Sequence, residues 1–300
     1  MNRGAGWLLA LTGAACAAYG QDQEEVEIVV EEVAPQVYML TGRGGNVGVS
    51  AGEDGVFLID DQYAPMTPAI RNAVSRISDQ SVRFVFNTHW HGDHTGGNEN
   101  FGKAGALIVA HANVRERLAA GQLMDFLGQQ RQVPPAPEAA LPVVTFDGTV
   151  TFHLNGDDVR AFHVRNAHTD GDAIVHFRQA DVVHMGDTYF NGFYPFIDAS
   201  SGGTLAGMIA AVEEVLEMVG EDTAVIPGHG PLANRAELQD YHAMLEESLM
   251  SVRTLVEEGR SLEEVIAARP LAELDPEWGD GFIEPDQWVE TVYRQVSGDL

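Results

Sequence analysis

Cysteine is almost missing from this chain. The only one among 300 residues is Cys16, inside an apolar N-terminal stretch. A single thiol closes no internal disulfide, and the residues after 20 offer a metal no thiolate. Lysine is equally scarce. Lys103 stands alone, and Lys plus Arg number 17 against 45 Asp plus Glu, a formal charge of −28. So acidic a surface repels phosphate backbones and argues against nucleic acid as a partner. Past the N-terminus no run approaches the ~20 apolar residues of a membrane span, so no transmembrane segment is expected. What is present is an apolar fraction of 45% over a length that fits one large domain or two small ones.

The first residues read as an address. Asn2 and Arg3 give a short positive start, an apolar stretch follows over 7–18, and Ala18-Tyr19-Gly20 ends it in small-x-small fashion before polar Gln21-Asp22-Gln23-Glu24. This predicts a secretory signal peptide over 1–20 and export, to the periplasm. Gly13 occupies the place where a lipid-anchor motif around Cys16 would carry leucine.

Short β-branched and aromatic runs predict strands over 26–30, 37–41, 46–50, 56–59, 82–86 and 106–110, with helical spacing over 68–77 and 113–122. Pro134, Pro135, Pro137 and Pro142 make 133–142 a surface connection between two halves. Strands then follow over 143–146, 149–154, 159–164, 173–177, 182–185 and 223–226, and helices over 204–219 and 236–258. Two strand-rich runs, each closed by helices, predict an α/β fold of two sheets face to face. The main domain is expected over 21–272. Trp278, Phe282, Ile283, Trp288, Val289 and Tyr293 make 273–300 too apolar for a free tail, and it is expected to dock as a C-terminal extension.

The chemistry concentrates where the run 82–87 ends. Residues 89–94 read His-Trp-His-Gly-Asp-His. Imidazole and carboxylate at that density are ligands for a borderline-soft cation. Three more groups stand at strand ends beside glycine or proline: His168, Asp187 and His229.

With this set in this order, the chain resembles the metallo-β-lactamase superfamily, whose hallmark is His-x-His-x-Asp-His followed by separate His, Asp and His elements. The resemblance covers roughly 26–235. It implies a four-layer αββα sandwich and two metal sites. One would use His89, His91 and His168, the other Asp93, His94 and His229, with Asp187 bridging. Two zinc ions are expected, and iron or manganese also suit these ligands. Such a pair generates a hydroxide near neutral pH. The implied reaction is its attack on a cyclic amide or ester carbonyl, with Asp93 as the catalytic residue orienting the nucleophile. β-Lactam hydrolysis is the leading expectation for this small-molecule enzyme. Lactone or thioester hydrolysis is the alternative, as is a non-haem iron oxidoreductase. One departure weighs against β-lactams. Where the cysteine-ligand branch carries a substrate-binding lysine, three residues past its ligand, this chain has Phe190. Arg43 and Arg165 are conceivable anchors, but nothing in the sequence places them.

Several residues admit two readings. Asp170 and Asp172 are turn residues or hold the His168 ring. Tyr189, Phe190, Phe193, Tyr194 and Phe196 are core or the wall of a substrate pocket. His176 and His184 read as packed or surface residues, and Gly202-Gly203 as a helix-entry turn.

Overall fold

The computed structural model describes residues 27–298; the expected signal peptide lies outside them. β1 (Val29–Ala34), β2 (Val37–Thr41), β3 (Val47–Gly52) and β4 (Gly55–Ile59) form an antiparallel meander. Helix α1 (Thr67–Ile77) crosses over to β5 (Val82–Asn87), parallel to β4. Two short helices, α2 (Gly92–Thr95) and α3 (Asn98–Lys103), lead to β6 (Leu107–His111), also parallel, and to α4 (Ala112–Ala120). A detached hairpin follows, β7 (Gln122–Phe126) and β8 (Gln129–Val133), before β9 (Val144–Phe146) closes a seven-stranded sheet beside β6.

The second sheet runs in chain order: β10 (Thr149–Leu154), β11 (Asp157–His163), β12 (Ala173–Phe177), β13 (Val182–His184), β14 (Ala224–Ile226) and β15 (Ala233–Asn234). Helix α5 (Leu205–Met218) is the crossover that makes β13 and β14 parallel. Helices α6 (Arg235–Glu257), α7 (Leu262–Ala268), α8 (Asp275–Trp278) and α9 (Pro285–Ser297) complete the chain. Among the described residues no helix is long and apolar enough to cross a membrane.

Alternation along the strands builds the layers. Phe57 and Ile59 of β4 face the second sheet and pack with Phe86, Val159, Val175 and Ile226. Val56 and Leu58 of the same strand face the opposite way, against Ile70 and Val74 of α1. A strand buried on both faces has no polar side to show, so 56–59 reads as an unbroken apolar run. Truncating Phe57, which is 1% exposed, would cost about 3–5 kcal/mol through lost burial and a cavity. On the outer face of the second sheet, Phe162, Ile174 and Val225 meet α5, α6 and α9. The result is the αββα sandwich.

Trp278, Ile283, Trp288 and Val289 from the C-terminal stretch sit in that outer core, and the Trp288 indole donates to Ser248 Oγ at 3.0 Å.

Two expectations need correction. The strand at 143–146 does not open the second half; as β9 it completes the first sheet. Strand order is decided by the crossover that returns it parallel to β6, which local pattern does not encode. The helix expected over 113–122 ends at Ala120, and 122–133, where no other element was predicted, forms a hairpin. Its β8 reads Gln-Gln-Arg-Gln-Val, with no alternation to betray a strand. Leu127 and Gly128 take φ of 52° and 79°, the left-handed pair of a tight two-residue hairpin loop.

Candidate metal centre

The strand ends deliver the centre. β5 stops at Asn87, and Thr88, His89, Trp90 and His91 continue as a loop. His91 is extended (φ −63°, ψ 149°) and starts α2, whose single turn carries Asp93 and His94. His168 lies between β11 and β12, Asp187 in a 3-10 turn after β13, and His229 just after β14. Parallel strands ending on one edge place their following loops together, the usual location of sites in such sheets.

The seven predicted side chains converge as two adjoining groups. In one, ligand atoms of His89, His91, His168 and Asp187 all lie within 4.8 Å of one another; in the other, those of Asp93, His94 and His229 do. Asp187 stands between them. Its Oδ2 lies 3.8 Å from His89 Nε2 and 3.6 Å from His168 Nε2. Its Oδ1 lies 3.0 Å from His94 Nε2 and 3.5 Å from His229 Nε2. Asp93 Oδ2 closes the second group at 3.3 Å from His229 Nε2 and 3.6 Å from His94 Nε2.

Hydrogen-bond direction assigns the tautomers. The Phe196 carbonyl, 2.8 Å from His168 Nδ1, can only accept, so His168 donates there and leaves Nε2 bare. His91 Nε2 donates to Asp198 Oδ2 at 2.9 Å, and His94 Nδ1 to Asp60 Oδ2 at 2.7 Å. Thr88 Oγ1 donates to Asp60 Oδ2, so at 3.0 Å it accepts from His89 Nδ1. His89 and His168, so tied, turn Nε2 inward as a lone pair, His91 turns Nδ1 inward, and His94 turns Nε2 toward Asp187 Oδ1. His91 Nδ1 then faces His168 Nε2 at 2.9 Å. His89 Nε2 is buried without a hydrogen-bond partner. Orphaned buried acceptors cost about 1–3 kcal/mol each. A shared cation removes that cost, and this donor set fits a pair of divalent ions, with the outer nitrogens held as metal-bound imidazoles require.

The two groups differ in charge. Burial pushes His89 well down and His168 down to about 4, so both are neutral. Burial also opposes protonation of His94 and His229, but Asp187 and Asp93, joined at His94 by Asp60, together outweigh it, holding His94 well up and His229 at about 9. Burial would raise Asp93 and Asp187. The neighbouring His94 and His229 win, bringing Asp93 down to about 2 and Asp187 well below the usual range. Protons on His94 and His229 thus occupy the role a cation would take.

Across residues 40–235 the sequence matches the metallo-β-lactamase superfamily. The chain belongs to that superfamily. A hydroxyacylglutathione hydrolase from Polaromonas sp. is 28% identical over 163 residues, 54% of this chain and 54% of its own length. The probable metallo-hydrolase YqgX of Bacillus subtilis is 27% identical over 163 residues, 53% of this chain and 73% of that one. The chain thus spans about half the length of the first of these relatives. Among solved structures, a metallo-beta-lactamase from Pontibacter korlensis superposes with TM-score 0.61 at 18% identity, covering 73% of this chain and 99% of that one. The stereoselective inverting sec-alkylsulfatase Pisa1 from Pseudomonas sp. superposes with TM-score 0.67 at 18% identity, covering 91% of this chain and 51% of that one. At such identities these structures establish the fold alone.

The centre of this metallo-β-lactamase superfamily member uses residues that sequence reasoning passed over. Asp60 reaches one histidine of each group, His94 directly and His89 through Thr88. Its signal was a carboxylate pair, Asp60-Asp61, directly after the buried run 56–59. Asp198 holds His91, and Asn46 ties the His229 loop by donating to the Pro227 and Gly230 carbonyls. Asp170 and Asp172 do not hold the His168 ring. Asp170 pairs with Arg117 at 2.7 Å, and Asp172 accepts from Thr169. Burial lifts the Asp172 carboxyl to about 8. His184 is packed, with Nε2 donating to the Asn46 carbonyl, and His176 is half-buried. The predicted helix-entry turn at Gly202-Gly203 leads into Thr204, which caps α5.

The aromatic residues divide between the two readings. Tyr189 and Tyr194 are core. Phe190 stacks on His229 at 5.5 Å and 12°, and Phe193 and Phe282 pack against it. Phe282 is 47% exposed and comes from the C-terminal stretch. Arg43 and Arg165 are exposed.

Proposed function

We propose that this protein is a dinuclear metal-dependent hydrolase of small carbonyl substrates. The observation that carries this is the Asp187 carboxylate, which turns one oxygen toward each histidine group. His89, His91 and His168 would hold one cation, Asp93, His94 and His229 the other, and Asp187 both. When bound, such a pair supplies Lewis acidity and a nucleophile at neutral pH. Zinc is our first assignment, and iron or manganese fit the same donors.

The chain's own residues do the rest. Asp93 is ionised, with its side chain 23% exposed, so it can accept a hydrogen bond from the attacking water and orient it. Phe190, Phe193 and Phe282 give the His229 side an apolar wall that excludes water and suits a substrate with an apolar portion. A thioester or ester is the favoured substrate. Sequence kinship to a hydroxyacylglutathione hydrolase supports it, as does the absence of a lysine near Asp187. Opening of a β-lactam is the second reading, favoured by the export expected from the N-terminal residues. An oxidoreductase built on iron would be recognised by oxygen consumption.

The test is metal analysis of the purified full chain beside a panel of thioesters, lactones and β-lactams. The expected result is two cations per chain and thioester or lactone turnover abolished by a chelator. Turnover that persists in metal-free protein would refute the proposal, and cleavage of β-lactams alone would reverse the order of substrates. Fractionation of expressing cells tests export.

A further inference from the structure

Residues 196–201 serve two masters. Toward the centre, the Phe196 carbonyl accepts from His168 Nδ1 at 2.8 Å and Asp198 accepts from His91 Nε2 at 2.9 Å. Two of the three histidines of the first group are therefore oriented by this one segment. Away from the centre, the same segment is where the hairpin of β7 and β8 lands. The Phe126 ring lies 4.8 Å from that of Phe196, the Asp125 amide donates to Ser200 Oγ at 3.2 Å, and Gln122 Nε2 donates to Ser201 Oγ at 2.7 Å.

Ser201 joins the two sides, and its hydroxyl has no freedom left. The Trp90 indole also donates to it, at 3.1 Å. An indole N–H and an amide NH₂ can only donate. Ser201 therefore spends its single proton on Asp198 Oδ2, the oxygen that His91 also uses. Ser201 and Asp198 are fully buried, so water cannot replace a lost partner. The chain of donors runs from Gln122 on the hairpin through Ser201 to Asp198, which receives His91 from the other side. Asp198 thereby fixes the Nε2 side of His91 and turns its Nδ1 toward His168.

We infer that Ser201 is a positioning residue that acts through Asp198 on His91 and makes docking of the hairpin and cation binding at the first group mutually dependent. The inference rests on the metal-centre reading above and needs no particular substrate. Coupling of this kind is reciprocal: whatever the docked hairpin adds to cation affinity, the cation adds to docking.

The experiment uses the full chain and zinc alone. Gln122→Met keeps the side chain's size and removes its donor to Ser201 together with its acceptor for Arg117. Ser201→Ala removes the junction itself. Zinc affinity is read by chelator competition, and hairpin docking by hydrogen exchange at the Asp125 amide. We expect both variants to weaken one of two zinc ions by about tenfold or more, the usual scale for partners behind a ligand, with the second ion unchanged. Removing zinc from wild type should speed exchange at Asp125 several-fold, and Gln122→Met should match that rate even when loaded. Gln130→Ala, on the exposed strand β8, should change neither quantity. Should Ser201→Ala fail to fold, Gln122→Met decides alone. Wild type that takes up no zinc would sink the reading of the centre, and this inference with it. Wild type that binds two ions, beside a Gln122→Met protein of equal affinity and equal exchange, would sink the coupling alone.

Discussion

The two halves of the centre solve the same problem differently. His89, His91 and His168 are buried, and the first and last are kept neutral by burial itself. Asp93 and His229 have side chains 23% and 22% exposed, and their group is charged throughout. The first is a closed socket of buried imidazoles, each with its outer nitrogen tied. The second is an open rim of opposed charges beside the aromatic wall. Under the proposed function, the socket would hold its cation while the rim would meet substrate.

The sharpest way to break that contrast is to remove what the halves share. Asp187→Ala should take hydrolysis to the uncatalysed background and lower metal content in both groups, read by elemental analysis and by turnover of a thioester. Next in size is a selective lesion. A Cβ on Gly45 would overlap the His94 ring, so Gly45→Ala should empty the rim and leave one ion per chain. Loss of both ions would show that the halves are not separable.

Asp60→Asn should weaken both groups, since Asp60 reaches His94 directly and His89 through Thr88. Affinity should fall on the order of 10–100-fold, in contrast to the one-sided effect expected of Gln122→Met.

Acid should distinguish the halves without any mutation. A cation at the rim must displace protons from His94, held well up, and from His229, at about 9. Proton and metal compete, so affinity there falls as pH drops below 9. The socket histidines His89 and His168 are already neutral at pH 7, so that ion should survive to lower pH. A titration monitored by metal content should show two losses, rim first; simultaneous loss would contradict the contrast. The smallest effect belongs to Phe282→Ala. It should raise KM a few-fold with kcat and thermal stability little changed, because the ring is half exposed and packs from outside on Phe190, Phe193 and the His229 ring.

Much of the fold was legible because apolar periodicity is a local property. The strands at 149–154 and 173–177 coincide with β10 and β12, each a short β-branched and aromatic run. The hairpin was not, because polar β8 owes its pairing to β7 and its landing to residues 196–201. Nor was the sheet that β9 joins, which depends on a crossover.

The order of residues along the chain determined the ligand types, their grouping in 89–94 and the superfamily, because six adjacent residues carry that information without help from the fold. Which nitrogen each imidazole turns inward was decided only in three dimensions. Asp60 is 34 residues from His94, and Asp198 is 107 from His91. The first bond exists only once β4 and β5 have paired, and the second only once both sheets have packed and brought their loops to the same edge.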